Sequence, residues 1–257
     1  MSPPTARGTV VPALRAVRAV VFDTDGVLTD SARVHAAAWK ETFDAFLAGL
    51  PPDAADPAAR RPFDTADDYP RYVDGRSRRD GAAAFLASRG LPAGPAVVER
   101  VTADKERRFT ARLRGRPVDA YPGTVRLLRA LRDGGVPMAA ASASRHAREV
   151  LRGARLLDLF DALVDGVEAA RLGLPGKPDP ALFQEAARRL GTPAGRCAVV
   201  EDALAGVEAG RRGGFALVVG VDRTGRPGGA EALRRHGADL VVRDLSELLA
   251  VREGQPS

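Results

Sequence analysis

Two carboxylates one residue apart, Asp23 and Asp25, are the first residues of this chain whose types and spacing could do chemistry. They follow a short apolar run, residues 19–22, which is typical of a buried strand, and they precede Gly26, where the chain can turn. Neighbouring carboxylates repel each other and are costly to bury unless a cation joins them. Their hard oxygen atoms suit Mg²⁺. A metal site and an ordinary strand that ends in an Asp-Gly turn are both compatible with this stretch alone.

Further polar residues follow later apolar runs. Ser142 comes after one such run, Lys177 lies in a Gly-Lys-Pro loop ahead of a helix, and Glu201 and Asp202 come directly after another run. Each of them could instead be a helix cap or a solvated loop residue. Because the carboxyl ends of parallel strands meet at one edge of a sheet, we expect all of them to lie close to Asp23.

This set of residues suits phosphoryl transfer, which needs a nucleophile, a cation and donors for the phosphoryl oxygens. Asp23 can attack as a carboxylate to form an aspartyl-phosphate, and together with Asp202 it can hold Mg²⁺. Asp25 can move a proton to or from the hydroxyl that leaves or attacks. Ser142 supplies a hydroxyl and Lys177 a positive charge. We therefore predict Asp23, Asp25, Ser142 and Lys177 as the catalytic residues.

The elements that must position these residues follow from the hydrophobic pattern. Apolar runs predict strands at residues 19–22, 136–141, 162–164, 197–200, 216–219 and 240–242. Amphipathic stretches predict helices at residues 124–132, 147–155, 180–190, 204–212, 231–236 and 245–249. Strands that alternate with helices indicate right-handed crossovers and a parallel sheet covered on both faces. The fold class is therefore α/β.

The stretch between residues 31 and 118 differs, because its pattern is helical and contains no convincing strand. It predicts an all-helical insert directly after the first strand. We place the α/β core at residues 16–31 and 119–250 and the helical insert at residues 32–118. Residues 1–15 and 251–257 are expected to be tails.

Composition bounds the class of protein. The chain has 257 residues, of which 45% are hydrophobic, and this is enough to fill a core. No apolar run approaches the roughly 18 residues that a bilayer requires, and the first residues show no secretory signal. The single cysteine, Cys197, excludes an internal disulfide and fits a reducing cytosol. We expect a cytoplasmic monomer without a membrane partner.

The net charge of +6 would favour a nucleic-acid partner, but the arginines are spread along the chain and aromatic residues make up only 5% of it. We therefore expect no nucleic acid among the partners, and a basic, non-catalytic nucleic-acid-binding protein remains the remote alternative. Only Lys40, Lys105 and Lys177 are lysines among the 39 basic residues. A chain that otherwise uses arginine can keep lysine where a compact ammonium is needed.

The ordered motifs resemble those of the haloacid-dehalogenase (HAD) superfamily of phosphotransferases and phosphatases. Asp-x-Asp-Gly-Val at residues 23–27, the serine after the second strand, Gly-Lys-Pro at residues 176–178 and Glu-Asp at residues 201–202 come in that superfamily's order. The helical insert corresponds to the superfamily's small cap. The resemblance implies a Rossmann-like parallel-sheet core with an inserted helical cap domain.

Within the superfamily, residues 22–31 running on to His35 and Trp39 are similar to the β-phosphoglucomutase branch. There the matching histidine helps orient the proton-shuttling aspartate. Residues 72–78 resemble the cap segment whose arginine, Arg78 here, grips the phosphate that is not transferred, and Lys105 falls at a cap lysine. The resemblance implies these substrate-binding residues: His35, Trp39, Gly75, Arg78, Lys105, Ser144 and Arg145. It implies these metal-site residues: Asp23, Asp25, Glu201 and Asp202.

Some positions depart from that branch or have a simpler explanation. Trp39 lies at helical spacing from Phe43, which also fits a place in the hydrophobic core of the cap. Asp74 stands where the resemblance suggests lysine, Gly81 where it suggests serine, and Arg145-His146 where it suggests Lys-Asn. These departures bear on the choice of sugar more than on the chemistry.

The resemblance implies a Mg²⁺-dependent mutase that interconverts β-glucose 1-phosphate and glucose 6-phosphate through an aspartyl-phosphate. Glucose 1,6-bisphosphate is the expected primer and a small phosphorylated sugar the expected partner. The alternative with the same core chemistry is a phosphatase that hydrolyses a small sugar phosphate or another phosphate monoester.

Overall fold

The computed structural model describes residues 10–51, 56–115 and 118–250. Its core is one six-stranded sheet with the strand order β3-β2-β1-β4-β5-β6, in which all neighbouring strands are parallel. The strands are β1 (Ala19–Phe22), β2 (Met138–Ala141), β3 (Ala162–Val164), β4 (Cys197–Glu201), β5 (Leu217–Val221) and β6 (Leu240–Val242). Because β1 lies between β2 and β4, the residues that follow these three strands come together in the middle of the sheet edge.

Ten α-helices lie in the described part of the chain. They are α1 (Pro12–Arg15), α2 (Ser31–Ala48), α3 (Arg78–Ser88), α4 (Pro95–Gly115), α5 (Pro122–Asp133), α6 (Ala147–Gly153), α7 (Gly166–Arg171), α8 (Ala181–Arg189), α9 (Leu204–Arg212) and α10 (Gly229–Arg235). Single 3₁₀ turns occur at Leu157–Leu159, Ala194–Arg196 and Leu245–Leu248, and one π-helical turn at Tyr69–Val73. The six strands and the α/β alternation predicted from sequence are confirmed.

Side chains alternate between the two faces of the sheet, and each face has its own hydrophobic cluster. Val20 and Phe22 of β1 pack in the cluster that contains Leu127 of α5, and Val21 packs in the cluster that contains Phe183 of α8. All five side chains are fully buried. Burial on both faces explains why the strands read as continuous apolar runs, and it holds β1 rigidly beneath the residues that follow it.

Helices α2, α3 and α4 form a unit inserted after β1 and before α5, and the described residues between 31 and 118 contain no strand. This unit, which we call the cap, has its own aromatic centre, in which Phe43 contacts the rings of Trp39, Phe63 and Phe85 at 4.1–5.0 Å between centroids. Aromatic pairs at such distances stabilise beyond the area that they bury. None of the helices in the described residues is long and apolar enough to cross a membrane.

Two parts of the core differ from the sequence expectation. Residues 10–15 were predicted to belong to a tail, but Val10 pairs with Leu249 and Leu14 is 1% exposed against the core. Residues 1–9 and 251–257 lie outside the described residues. Helix α7 was not predicted, because it has only six residues, yet the Asp165 carboxylate accepts hydrogen bonds from the backbone N–H groups of Val167 and Glu168 and caps it.

Candidate active site

Asp23 follows β1 and is 5% exposed, with its carboxylate held from two sides. The Lys177 ammonium donates to Asp23 Oδ1 at 2.5 Å and to Glu201 Oε1 at 2.7 Å, and the backbone N–H of Asp25 donates to Asp23 Oδ2 at 2.9 Å. The second oxygen of Glu201 accepts the backbone N–H of Ala203 at 2.5 Å. The middle of the sheet edge therefore carries a buried lysine between two carboxylates, as the strand ends predicted.

The negative charge at this edge exceeds what Lys177 neutralises. Burial, together with the charges of Glu201 and Asp25, raises the pKa of Asp23 to about 8 against the opposing charge of Lys177. Burial and the neighbouring charges of Asp74, Glu201 and Asp23 raise the pKa of Asp202 well above its ordinary value. Carboxyl groups that resist ionisation in this way are stabilised when a cation joins them.

Mg²⁺ fits this donor set. It is commonly held by one or two carboxylates with water and substrate phosphate completing its shell. Asp23 and Asp202 can serve in that way, and the Asp202 carboxylate lies so close to Gly26 (φ +82°) that a Cβ there would come within 1.8 Å of Asp202 Oδ2. In the described residues no three His, Cys, Asp or Glu side chains form a ready-made metal site. The predicted role of Glu201 as a ligand stays a prediction. Both of its oxygens, like both oxygens of Asp23, accept hydrogen bonds from protein donors.

The Asp25 carboxylate lies at the start of the turn that follows β1 and is surrounded by donors. Ser31 Oγ donates to Asp25 Oδ1, His35 Nε2 faces the same oxygen at 3.4 Å, and Ser142 Oγ donates to Oδ2 at 3.3 Å. Burial alone would raise the pKa of Asp25, but His35, Ser31 and the charge of Lys105 hold it below its usual range. Asp25 is therefore ionised at neutral pH.

Lys105 of the cap reaches Asp25 through His35. Its ammonium lies 2.8 Å from His35 Nδ1, and because an ammonium can only donate, we assign the proton of the neutral ring to Nε2, on the Asp25 side. Burial and the charge of Lys105 lower the pKa of His35, and burial lowers the pKa of Lys105 to about 8. Phe109 stacks on the His35 ring at 4.0 Å and lies 4.2 Å from the Lys105 ammonium.

Trp39 was predicted to bind substrate, and this stays a prediction. The ring is 3% exposed and stacks on Phe43 at 4.8 Å inside the cap. Helical spacing in α2 places both residues on the inner face of the cap, which is the alternative that the sequence left open.

Gly75 and Asp74 belong to the cap loop that lies over the core. Gly75 has a φ of +71°, and a Cβ there would come within 2.8 Å of the Ala203 side chain, so the loop packs directly on the start of α9. Burial and the charge of Glu201 raise the pKa of Asp74 to about 7, although a hydrogen bond from Tyr69 opposes this. The cap therefore contributes a carboxyl group to a site that is already rich in negative charge.

Arg78, which was predicted to bind phosphate, forms an ion pair with Glu106 of the cap. Its guanidinium donates to Glu106, and the other oxygen of Glu106 lies 2.6 Å from His146 Nε2 in the core. Ser144 is half-buried and accepts the backbone N–H of His146, while Arg145 is exposed beside an open cleft of about 380 Å³. The predicted residues Arg78, Ser144 and Arg145 thus lie on the same side of the site, where the cap meets the core.

Sequence reasoning missed Arg223, which follows β5. Its guanidinium donates to the backbone carbonyls of Gly26 and Val27 at 2.7 and 2.9 Å and stacks 3.5 Å above the Tyr121 ring. It therefore holds the turn after Asp25 in place through two backbone carbonyls. A single arginine in an arginine-rich chain carries no signal of this role. Glu106 was also missed, because its partners Arg78 and His146 lie on other elements.

The comparisons with known proteins show the family to which the chain belongs. The family model for haloacid dehalogenase-like hydrolases matches residues 17–214. The chain belongs to the haloacid dehalogenase-like hydrolase family. A β-phosphoglucomutase of Mycobacterium bovis is 43% identical, with 96% of this chain and 97% of that protein covered. A β-phosphoglucomutase of Bacillus subtilis is 34% identical, with coverages of 90% and 92%.

Among solved structures, a hydrolase from Pseudomonas syringae matches with a TM-score of 0.72 and 27% identity, covering 90% of this chain and 95% of that one. These findings place the chain in the β-phosphoglucomutase-like branch of the HAD family. It is a HAD-family phosphotransferase, for which both mutases and phosphatases are precedents.

Proposed function

We propose that this protein is a Mg²⁺-dependent mutase that interconverts β-glucose 1-phosphate and glucose 6-phosphate. The observation that carries the proposal is the pair of carboxylates at the centre of the sheet edge, with Asp23 held by Lys177 and Asp25 held by residues of both the core and the cap. The similarity to two β-phosphoglucomutases over nearly the whole chain supports this choice of substrate.

The first half of the reaction uses the phosphorylated form of Asp23. The 6-hydroxyl oxygen of β-glucose 1-phosphate attacks the phosphorus of the aspartyl-phosphate, Asp25 accepts the hydroxyl proton, and the bond between phosphorus and Asp23 breaks. The product is glucose 1,6-bisphosphate. Asp25 is ionised when the hydroxyl arrives, because the groups around it keep its pKa below the usual range, although the same groups make it a weaker base.

In the second half the bisphosphate binds with its 1-phosphate next to Asp23. The Asp23 carboxylate attacks that phosphorus, the bond to the sugar oxygen breaks, and Asp25 returns its proton to the leaving oxygen. Glucose 6-phosphate leaves, and Asp23 is phosphorylated again. Lys177 and the Ser142 hydroxyl stabilise the transferring group, and Mg²⁺ held by Asp23 and Asp202 would supply further positive charge.

Exclusion of water separates a mutase from a phosphatase, since water competes for the aspartyl-phosphate. The cap supports exclusion through several contacts with the core. Gly75 packs on Ala203, and Arg226 of the core donates to the backbone carbonyl of Ala66 in the cap at 2.9 Å. We expect such contacts to close the site over a bound sugar.

A phosphatase is the second candidate, and a specific observation favours it. Asp74 places an acidic side chain on the cap side of the site, where a substrate with two phosphates would need positive charge. A monophosphate that is simply hydrolysed makes no such demand.

The deciding experiment is phosphorus NMR on the protein with Mg²⁺, β-glucose 1-phosphate and a trace of glucose 1,6-bisphosphate, with Asp23→Asn as the control. The mutase forms glucose 6-phosphate with little free phosphate, and Asp23→Asn lowers the rate by about 10⁴-fold or more because the nucleophile is lost. Free phosphate as the main product would identify the phosphatase. No turnover of either kind would reject this sugar as the substrate.

A further inference from the structure

Helix α4 sends two neighbouring side chains, Lys105 and Glu106, toward opposite sides of Asp25. Lys105 contacts His35, which faces Asp25 Oδ1. Glu106 contacts His146, which lies in the loop that also carries Ser142, the donor to Asp25 Oδ2. One turn of a cap helix is therefore connected to both oxygens of a carboxylate in the core.

An unbroken series of hydrogen bonds leads from Glu106 to the Ser142 hydroxyl. Glu106 Oε1 lies 2.6 Å from His146 Nε2. The backbone N–H of His146 donates to Ser144 Oγ at 3.2 Å, and the backbone N–H of Ser144 donates to Ser142 Oγ at 3.1 Å. The position of the Ser142 hydroxyl beside Asp25 thus depends on the conformation of the loop that Glu106 holds.

We propose that Glu106 is a positioning residue, whose contact with His146 couples cap closure to Asp25 and so directs the phosphoryl group to a sugar hydroxyl instead of water. The effect on phosphoryl transfer rests on the proposed mutase function. The structural coupling between Glu106 and the Ser142 loop does not depend on that function. Nothing in the motifs at the strand ends requires an acidic residue at position 106.

The charges around the contact favour an ion pair. The hydrogen bond to Glu106 raises the pKa of His146, and the hydrogen bond from His146 lowers the pKa of Glu106 to about 2. The groups that face His146 are Glu106 from α4 and Glu149 from its own helix, with Nδ1 3.2 Å from Glu149 Oε2. Two positive charges lie near this contact: Arg78, which pairs with Glu106, and Lys105. His35 is close enough to interact electrostatically with His146.

The cap provides a matched control for this contact. Arg79 Nη2 lies 2.7 Å from Glu99 Oε2, so this pair joins the same two helices, α3 and α4, as the Arg78–Glu106 pair does. The Arg79–Glu99 pair is exposed and does not reach the core. Glu99→Gln therefore removes a similar charge from α4 without touching His146.

The test measures the ratio of phosphate released to glucose 6-phosphate formed for the wild type, Glu106→Gln, His146→Asn, the double variant and Glu99→Gln. Glu106→Gln is expected to raise the ratio about tenfold, as loss of a charge-assisted hydrogen bond would, and His146→Asn about equally. The double variant should be no worse than either single variant, because both break the same contact. Glu99→Gln should leave the ratio unchanged.

The pH dependence adds a readout that a merely structural role would not give. In the wild type the ratio should rise as the pH increases through the pKa of His146, because the neutral imidazole loses its charge-assisted bond to Glu106. In His146→Asn this step should vanish. Additive effects of the two substitutions, or an equal change in Glu99→Gln, would overturn the proposal.

Hydrogen exchange separates this proposal from the proposed function. The amides of Ser144 and His146 should exchange faster in Glu106→Gln than in Glu99→Gln, whatever the enzyme does with the sugar. If the wild type forms no isomer but these amides respond, the mutase function fails and the coupling stands. Unchanged exchange in Glu106→Gln would reject the coupling itself.

Discussion

Two of the three lysines, Lys177 in the core and Lys105 in the cap, are almost equally buried, at 2% and 3% exposure, yet their surroundings are opposite. Lys177 lies between the carboxylates of Asp23 and Glu201. Burial alone would lower the pKa of Lys177, but these two charges outweigh it and raise it above the ordinary value. Lys105 has an imidazole and aromatic rings as its nearest partners, and burial lowers its pKa to about 8.

The different surroundings of Lys177 and Lys105 show that the core and the cap contribute differently to the site. The core holds Lys177 between two carboxylates before any substrate arrives, and such fixed charges are how preorganised sites stabilise transferring charge. The cap keeps a cation that is poorly compensated, and this costs stability but leaves positive charge available to a group that binds beneath it. The same substitution at the two lysines should therefore have opposite effects on stability.

Lys177→Met should give the largest effect. It leaves Asp23 and Glu201 buried without their partner, and breaking a buried ion pair in this way costs about 3–5 kcal/mol of unfolding free energy. Because the pKa of Lys177 is raised, its contribution to stability is present throughout the neutral range and is lost only as the pH rises through that value. Denaturant unfolding at pH 7 measures the loss.

The control for this change is Lys40→Met. Lys40 pairs with Asp44 on the surface, with 44% of its side chain exposed, and the substitution should cost less than about 1 kcal/mol. An equal loss of unfolding free energy in the two variants would mean that the buried ion pairs of Lys177 with Asp23 and Glu201 stabilise the fold no more than a surface ion pair does.

Mg²⁺ should stabilise the core and not the cap. Burial and repulsion together raise the pKa values of Asp23 and Asp202, and a bound cation offsets both. Binding should therefore release protons and raise the unfolding free energy by about 2.7 kcal/mol at 100 times the dissociation constant. Thermal unfolding with and without Mg²⁺ measures this. Asp202→Asn should abolish the gain, whereas Asp67→Asn, on the exposed side of the cap, should keep it. A gain retained in Asp202→Asn would place the cation elsewhere.

Lys105→Met should lower turnover by about 10–100-fold, because the charge behind His35 and Asp25 is lost. It should not destabilise the fold at pH 7. The folded-state pKa of about 8 lies below the ordinary 10.5, so charged Lys105 opposes folding below pH 8, by up to about 3 kcal/mol, and this penalty is relieved as the pH rises toward 10.5. Wild-type stability should accordingly gain a contribution between pH 8 and 10.5 that the variant lacks. A loss of stability in Lys105→Met at pH 7 would refute the contrast with Lys177.

The sequence predicts the core better than the contacts between cap and core, because those contacts join residues that are far apart in sequence. Strand β4 could be read from its apolar run, because a strand buried on both faces needs apolar residues throughout. Lys177 could be predicted to meet Asp23, because parallel strand ends converge. Glu106 could not, because its partners Arg78 and His146 belong to other elements and only the packing of the cap on the core brings the three together. Six-residue α7 was missed because one short turn gives no periodic signal.

Thr24, between the two aspartates, gives the smallest expected effect and the finest test of the core site. It is fully buried, and its hydroxyl has no hydrogen-bond partner among the residues that the structure describes. Thr24→Val keeps the shape and removes a buried unsatisfied group, so it should raise the unfolding free energy by about 1 kcal/mol without changing turnover. Thr29 is equally buried, but its hydroxyl lies 2.8 Å from Ser31 Oγ, which donates to Asp25. Thr29→Val should therefore lose stability and slow turnover. If Thr24→Val instead behaved like Thr29→Val, the Thr24 hydroxyl would belong to the hydrogen-bonded site and the contrast between paired and unpaired polar groups within the core would fail.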